Sequence, residues 1–212
     1  MLSVDPVIPG IAAIAPELVA VRQRIHAHPE LAFEETATSD LVASLLTEWG
    51  YAMHRGLGKT GVVGMLKIGA RIALRADMDA LPIEEATGLD YASQTPHTMH
   101  ACGHDGHTAM LRAPRAISRK AGSFRARSSS FFSRPKKVKP ARAMIEDGLF
   151  EQFPCDVVFG LHNMPGFPAG DMFFCPGAGM ASSDRVNITV CAASADMAPC
   201  RIAHAIRCPR LH

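Results

Sequence analysis

"RIALRADMDALP", residues 71–82, decides how this chain folds. Ile72, Leu74 and Ala76 fall on alternate positions, the period of a strand, and two aspartates, Asp77 and Asp79, follow at once. Open α/β sheets bind ligands just beyond the carboxyl ends of their strands. A strand running into paired carboxylates therefore predicts both a buried sheet and a site at its edge.

Working outward, "GVVGMLKI" (61–68) and "CDVVFGLHN" (155–163) read as further strands, the second ending at His162. "GDMFFCPG" (170–177) and "SSDRVNITV" (182–190) read as strands too. Helices alternate with them. "PELVAVRQRIHAH" (16–28) sets Leu18, Val21, Arg22 and Ile25 at helical spacing, with Pro16 and Glu17 suited to its first turn. "TSDLVASLLTEWGY" (38–51) carries the stripe Leu41, Val42, Leu45, Leu46 and Trp49, with Thr38 or Ser39 as its cap and Gly50 as its stop. "GHTAMLRA" (106–113) and "ARAMIEDGLF" (141–150) read as helices, and residues 83–100 as a loop. This alternation predicts a layered α/β domain.

At 212 residues the chain can bury a real core. No apolar run reaches the roughly 18 residues of a membrane span. The first twenty residues contain Asp5, Glu17 and three prolines but no basic cluster, so they make a poor signal peptide, and a cytoplasmic address is expected. Six cysteines are then expected to stay reduced. Cys155 and Cys175 read as small buried hydrophobes, Cys191, Cys200 and Cys208 crowd the tail, and Cys102 suits a metal. The charge is uneven. Residues 112–142 hold eleven Lys or Arg and no acid, whereas the rest holds eleven basic and twenty acidic side chains.

"HACGHDGH" (100–107) concentrates ligand-type residues. Cys102 and His104, two apart, can reach one metal centre, and Asp77 and Asp79 could fix the other imidazole nitrogen. His162, at the end of another strand, could join them. His26, His28, His54 and His97 read as ordinary surface or hydrogen-bonded histidines. From spacing alone, a metal site and a hydrogen-bonded histidine loop both remain open.

"VRQRIHAHPELAFEE", "IALRADMDALPIEE", "HACGHDGHTAML" and "GLHNMPGFPAG", in this order, resemble the metal-dependent amidohydrolases of the zinc exopeptidase superfamily, which include hippurate hydrolase and N-acyl-amino-acid hydrolases. The resemblance covers residues from about 18 to 111 and 141 to 190. It implies a central mixed sheet flanked by helices, and hydrolysis of N-acyl amino acids such as hippurate to a carboxylic acid and an amino acid. It also implies two divalent ions (Mn²⁺, Zn²⁺ or Ni²⁺) per subunit, which polarise a carbonyl and activate water. Cys102, His104 and His162 match the family's ligands, and Asp77 and Asp79 its paired aspartates, taken as orienting groups. The implied partner is a small N-acyl amino acid, with no nucleic acid and no membrane. The resemblance also implies homo-oligomers formed through a lid, most of whose surface is expected to be missing here.

The pattern then breaks. The family's Q-P-A-E-E-G motif supplies a glutamate ligand and a glutamate base, but its place holds "SRPKKV", residues 133–138. With suitably chosen codons, DNA for F-Q-P-A-E-E-G read one base out of frame can encode F-S-R-P-K-K-V, residues 132–138. The same treatment of residues 190–209 yields the G-G-H-G-A-M-P-H motif of the family's lid. The basic stretch is thus expected to be a frame-shifted reading, restored near Ala141, in which Lys136 and Lys137 stand for the two glutamates. A direct reading of its basic and aromatic residues as a nucleic-acid contact explains less. The expected organisation is a partial catalytic domain over 1–182 and the start of a lid over 183–212. At most one bound metal and little or no turnover are expected.

Overall fold

The structure, a computed structural model, describes residues 9–65, 70–111, 126–132, 140–168, 170–174 and 177. The chain divides into two units, Met1–Gly170 and Asp171–His212. In the second, residues 171–174 form no strand, which corrects the strand expected at 170–177. Met172, Phe173 and Phe174 are exposed, so no alternation of buried and open positions marks a sheet there. The strand expected at 182–190, the domain boundary at 182 and the residues Lys136 and Lys137 lie outside the described residues.

The first unit is built on a mixed five-stranded sheet. In chain order its strands are β1 (Ala52–Leu57), β2 (Gly61–Met65), β3 (Ala70–Ala76), β4 (Ala126–Phe132) and β5 (Val157–Gly160), arranged β1-β2-β4-β3-β5. β1 and β2 form an antiparallel hairpin, and β2 is antiparallel to β4. β3 runs parallel to both β4 and β5, pairing Leu74 with Ser130 on one side and Phe159 on the other. The carboxyl ends of these three strands share one edge. β3 stops at Ala76, so Asp77–Pro82 is loop rather than strand. β1 was not foreseen as a strand.

Helices cover both faces. They are α1 (Pro9–Ala12), α2 (Ala15–Ala27), α3 (Thr36–Glu48), α4 (His104–Met110), α5 (Pro140–Glu146) and α6 (Leu149–Gln152). Neighbouring residues of β2 divide the core between the faces, as the two-residue period of a strand requires. Val62 packs with Val42, Ala43 and Leu46 of α3, together with Tyr51, Ala76, Met78 and Leu111. Val63 packs with Ala73, Met144 of α5, Leu149 of α6 and Phe153. Val21 and Ile25 of α2 meet Ala109 of α4 in a third cluster. The helix expected over 141–150 breaks at Gly148, whose φ of 85° ends one helix and starts the next.

The ends of α3 show how local chemistry sets boundaries. Gly50 N–H bonds the Thr47 carbonyl and Tyr51 N–H bonds the Leu46 carbonyl, the paired closure of a glycine stop. The start differs from the expected Thr38 or Ser39 cap. The Glu30 carboxylate accepts from Ala37 N–H at 3.0 Å and Thr38 N–H at 2.7 Å. A charged acceptor there also complements the positive end of the helix dipole.

Candidate metal centre

Three segments meet beyond the carboxyl edge of β3 and β5. The first is Asp77-Met78-Asp79, leaving β3 with all three residues buried. It is pinned by a bridge between Leu81 and Met99 and by Ala80 N–H to the Glu30 carbonyl. The second is Cys102-Gly103-His104, entering α4, which begins at His104 rather than at Gly106. The third is His162-Asn163, leaving β5, where every residue from 157 to 168 is exposed.

One ligand atom each from Cys102, His104 and His162 lies within 4.8 Å of the others. Cys102 Sγ and His162 Nε2 are 3.3 Å apart. Tetrahedral zinc with ordinary Zn–S and Zn–N lengths needs ligand separations of about 3.3–3.6 Å. The trio is therefore near a binding geometry.

Each histidine is oriented through its Nδ1. His104 Nδ1 donates to the Asp79 carbonyl at 2.8 Å, with the Asp79 carboxylate 3.0 Å away. His162 Nδ1 donates to the Asn163 carbonyl at 2.7 Å. Fixing Nδ1–H in this way turns each Nε2 lone pair toward the site. His104 Nε2 is buried and has no hydrogen-bond partner, a costly state unless something else meets that lone pair. A divalent cation fits it, because the same centre is reached by a thiol and a second imidazole.

Nearby carboxylates also act on His104. Burial disfavours its charge, but the Asp79 and Asp77 carboxylates outweigh that and raise its pKa above the usual histidine value. Asp77 Oδ2 stands 3.9 Å from His104 Nε2, Asp77 pairs with Arg75, and its carbonyl accepts from Thr108 Oγ1 at 3.0 Å.

Residues that the motif reading left aside surround these. His107 Nε2 lies 2.7 Å from Asn163 Oδ1. Burial holds His107 down to about 4, so it stays neutral. Asp105, fully buried, accepts from Arg22 Nε at 3.0 Å and faces His26 Nδ1 at 2.9 Å. Burial works to raise its pKa, yet His26, His100, the Gly106 N–H and Arg22 together lower it. His26 Nε2 meets Glu85 at 3.1 Å, so an imidazole read as ordinary joins α2, α4 and the 83–100 loop. His28, His54 and His97 are exposed. Glu35 is 1 % exposed, and burial pushes its carboxyl up to about 7 although Thr60 donates to it at 2.8 Å.

Comparison with known proteins is consistent with this fold and this edge. The profile of Peptidase family M20/M25/M40 matches residues 73–125. Over that stretch the chain resembles this family. It is 46% identical over 188 residues to the hippurate hydrolase of Campylobacter jejuni, covering 86% of this chain and 49% of that protein. It is 37% identical over 186 residues to N-acetyl-L-cysteine deacetylase of Bacillus subtilis, covering 85% of this chain and 44% of that protein. Among solved structures it resembles the Bacillus subtilis YXEP protein, described as a dinuclear metal-binding peptidase of the M20 family. That match has a TM-score of 0.66 and 34% identity, over 74% of this chain and 45% of the other. The chain spans about half the length of the curated relatives it matches.

Proposed function

We propose that this chain carries the metal-binding edge of an amide hydrolase that cleaves N-acyl amino acids such as hippurate to a carboxylic acid and an amino acid. The observation that supports this reading is the convergence of Cys102, His104 and His162 around the unpartnered His104 Nε2. A divalent cation held there (Zn²⁺, Mn²⁺ or Ni²⁺) supplies carbonyl polarisation and acidified water. The chain's own residues do the rest. Asp79 holds the His104 tautomer, Asn163 holds that of His162, and Asp77 keeps negative charge at the edge while paired with Arg75.

A second reading, a metal-binding remnant without turnover, is favoured by Lys136 and Lys137. Ammonium groups in place of a glutamate ligand and a glutamate base would oppose a second cation and remove the proton acceptor. Losing a general base alone costs about 10²–10⁴-fold in rate.

One experiment separates the two. The 212-residue chain is loaded with Zn²⁺, Mn²⁺ or Ni²⁺, its bound metal is counted, and glycine release from hippurate is followed beside Cys102→Ser. Turnover that Cys102→Ser abolishes supports the hydrolase. One bound ion without turnover supports the remnant, and no metal bound by the parent chain rejects both.

A further inference from the structure

We propose that His107 is a positioning residue of the metal centre: acting through Asn163, it fixes His162 opposite Cys102. The proposal rests on the metal-centre reading above but concerns a residue outside the ligand trio.

The need for such a device follows from exposure. Cys102 belongs to the half-buried turn that enters α4, and His104 to the buried first turn of that helix. His162 belongs to an open stretch, where Leu161 is 54% and Met164 62% exposed. An exposed loop has little packing to hold one side chain to within a few tenths of an ångström. Asn163 supplies the missing tie. Its Oδ1 lies 2.7 Å and its backbone nitrogen 3.1 Å from the same atom, His107 Nε2. In one neutral tautomer His107 donates to Oδ1, and in the other it accepts the backbone N–H, so both tautomers tie Asn163 to α4.

The tie passes directly to the ligand, because the carbonyl that orients His162 Nδ1 is that of Asn163. The His107 and His162 rings stand 4.7 Å apart at 67°, and His162 Nε2 faces Cys102 Sγ at 3.3 Å. The seat is shaped for the amide. A Cβ on Gly103 would fall 2.6 Å from Asn163 Oδ1, so the glycine lets Asn163 lie against the turn between the other two ligands.

The test uses Co²⁺ as the probe with the whole 212-residue chain, because its absorption reports thiolate and imidazole ligation without turnover. His107→Ala and Asn163→Ala are each expected to weaken Co²⁺ binding by about 10–100-fold, the usual effect of removing a group that orients a ligand. Their spectra should approach that of His162→Ala, and the double variant should bind no more weakly than either single one. His107→Gln places an amide where Nε2 stood and should restore binding to within a few-fold of the parent. Far-UV dichroism confirms that each variant is folded.

If His107 were itself a ligand, His107→Ala would weaken binding while Asn163→Ala would not, and His107→Gln would fail to rescue; that pattern overturns the proposal. Unchanged Co²⁺ affinity and spectrum in His107→Ala overturn it as well. Absence of Co²⁺ binding by the parent chain overturns the metal-centre reading and this proposal together, whereas parental binding with an indifferent His107 overturns this proposal alone.

Discussion

The two walls of the candidate centre are built in opposite ways. The wall that carries Cys102 and His104 is anchored in the interior: Asp77, Asp79, His104, Asp105 and His107 are all buried. The wall that carries His162 is an open loop at the end of an edge strand, and its Val157, Val158 and Phe159 are 40–54% exposed. In the first wall, holding the ligand and holding the fold are one task. In the second they separate, because Asn163 and His107 can set His162 without adding much to the core. Substitutions in the buried wall should therefore cost stability first. Substitutions at the loop should cost metal affinity first.

The largest break in that comparison is His26→Ala. His26 lies between the carboxylates of Asp105 and Glu85, with all three side chains at most 5% exposed. Removing the imidazole leaves two buried carboxylates each short of a hydrogen bond, which costs about 1–3 kcal/mol apiece. Arg22 still meets Asp105, and Ser93 N–H still meets Glu85. The expected loss is therefore about 3 kcal/mol in urea unfolding. A loss below about 1 kcal/mol would show that the buried wall does not depend on this link.

How much of this was legible in the sequence follows from distance along the chain. The strand into Asp77 and Asp79, the Cys102-Gly103-His104 triplet and the His162 strand are local patterns, and the structure brings all five side-chain positions to one edge. The links that hold them are not local. His26 meets Asp105 across 79 residues and His107 meets Asn163 across 56. Neither pair has a spacing signature, so a buried orienting histidine reads like any other. The α3 cap hides for a similar reason, since Glu30 lies well ahead of the helix it closes. β1 escapes notice because it is an edge strand containing His54 and Arg55 and a bulge at Gly56, so it lacks an alternating apolar face.

A middle-sized effect should come from Glu35, which is buried near Asp79 and is neutral when the site is most stable. Its folded pKa of about 7 lies above the ordinary 4.5. For a carboxyl raised in this direction, the stabilisation is fully present below pH 4.5 and is lost as pH rises through about 7. Between pH 5 and 8 a shift of this size changes stability by about 2–3 kcal/mol. Glu35→Gln keeps an acceptor for Thr60 and removes the charge. Unfolding free energy measured from pH 5 to 8 should then fall less steeply with pH in the variant, by about that amount. Parallel profiles for parent and variant would show that Glu35 already ionises freely, and would remove it from the buried wall.

The smallest effect on stability, and the sharpest on the comparison, is expected of Gly103→Ala, because Gly103 is the joint between the walls. Its φ of 79° lies in the left-handed region, where an L side chain costs about 1–2 kcal/mol. The added methyl would also stand 2.6 Å from Asn163 Oδ1. Two responses are open to the structure. The turn can shift, which would strain Cys102 and His104 together and add to the loss of stability. Alternatively, Asn163 can leave its seat, which costs the core little because the loop is exposed. The inequality of the two walls favours the second response, since a turn tied through buried His104 to Asp79 resists displacement more than an open loop does. The expected outcome is a loss of about 1–2 kcal/mol in unfolding free energy, with Co²⁺ affinity weakened as in Asn163→Ala. Adding Asn163→Ala to Gly103→Ala should then weaken Co²⁺ binding no further. If instead stability falls by more than about 4 kcal/mol while the Co²⁺ spectrum of the folded fraction stays parental, the turn has yielded and the loop has held. The ranking of the two walls would then be reversed.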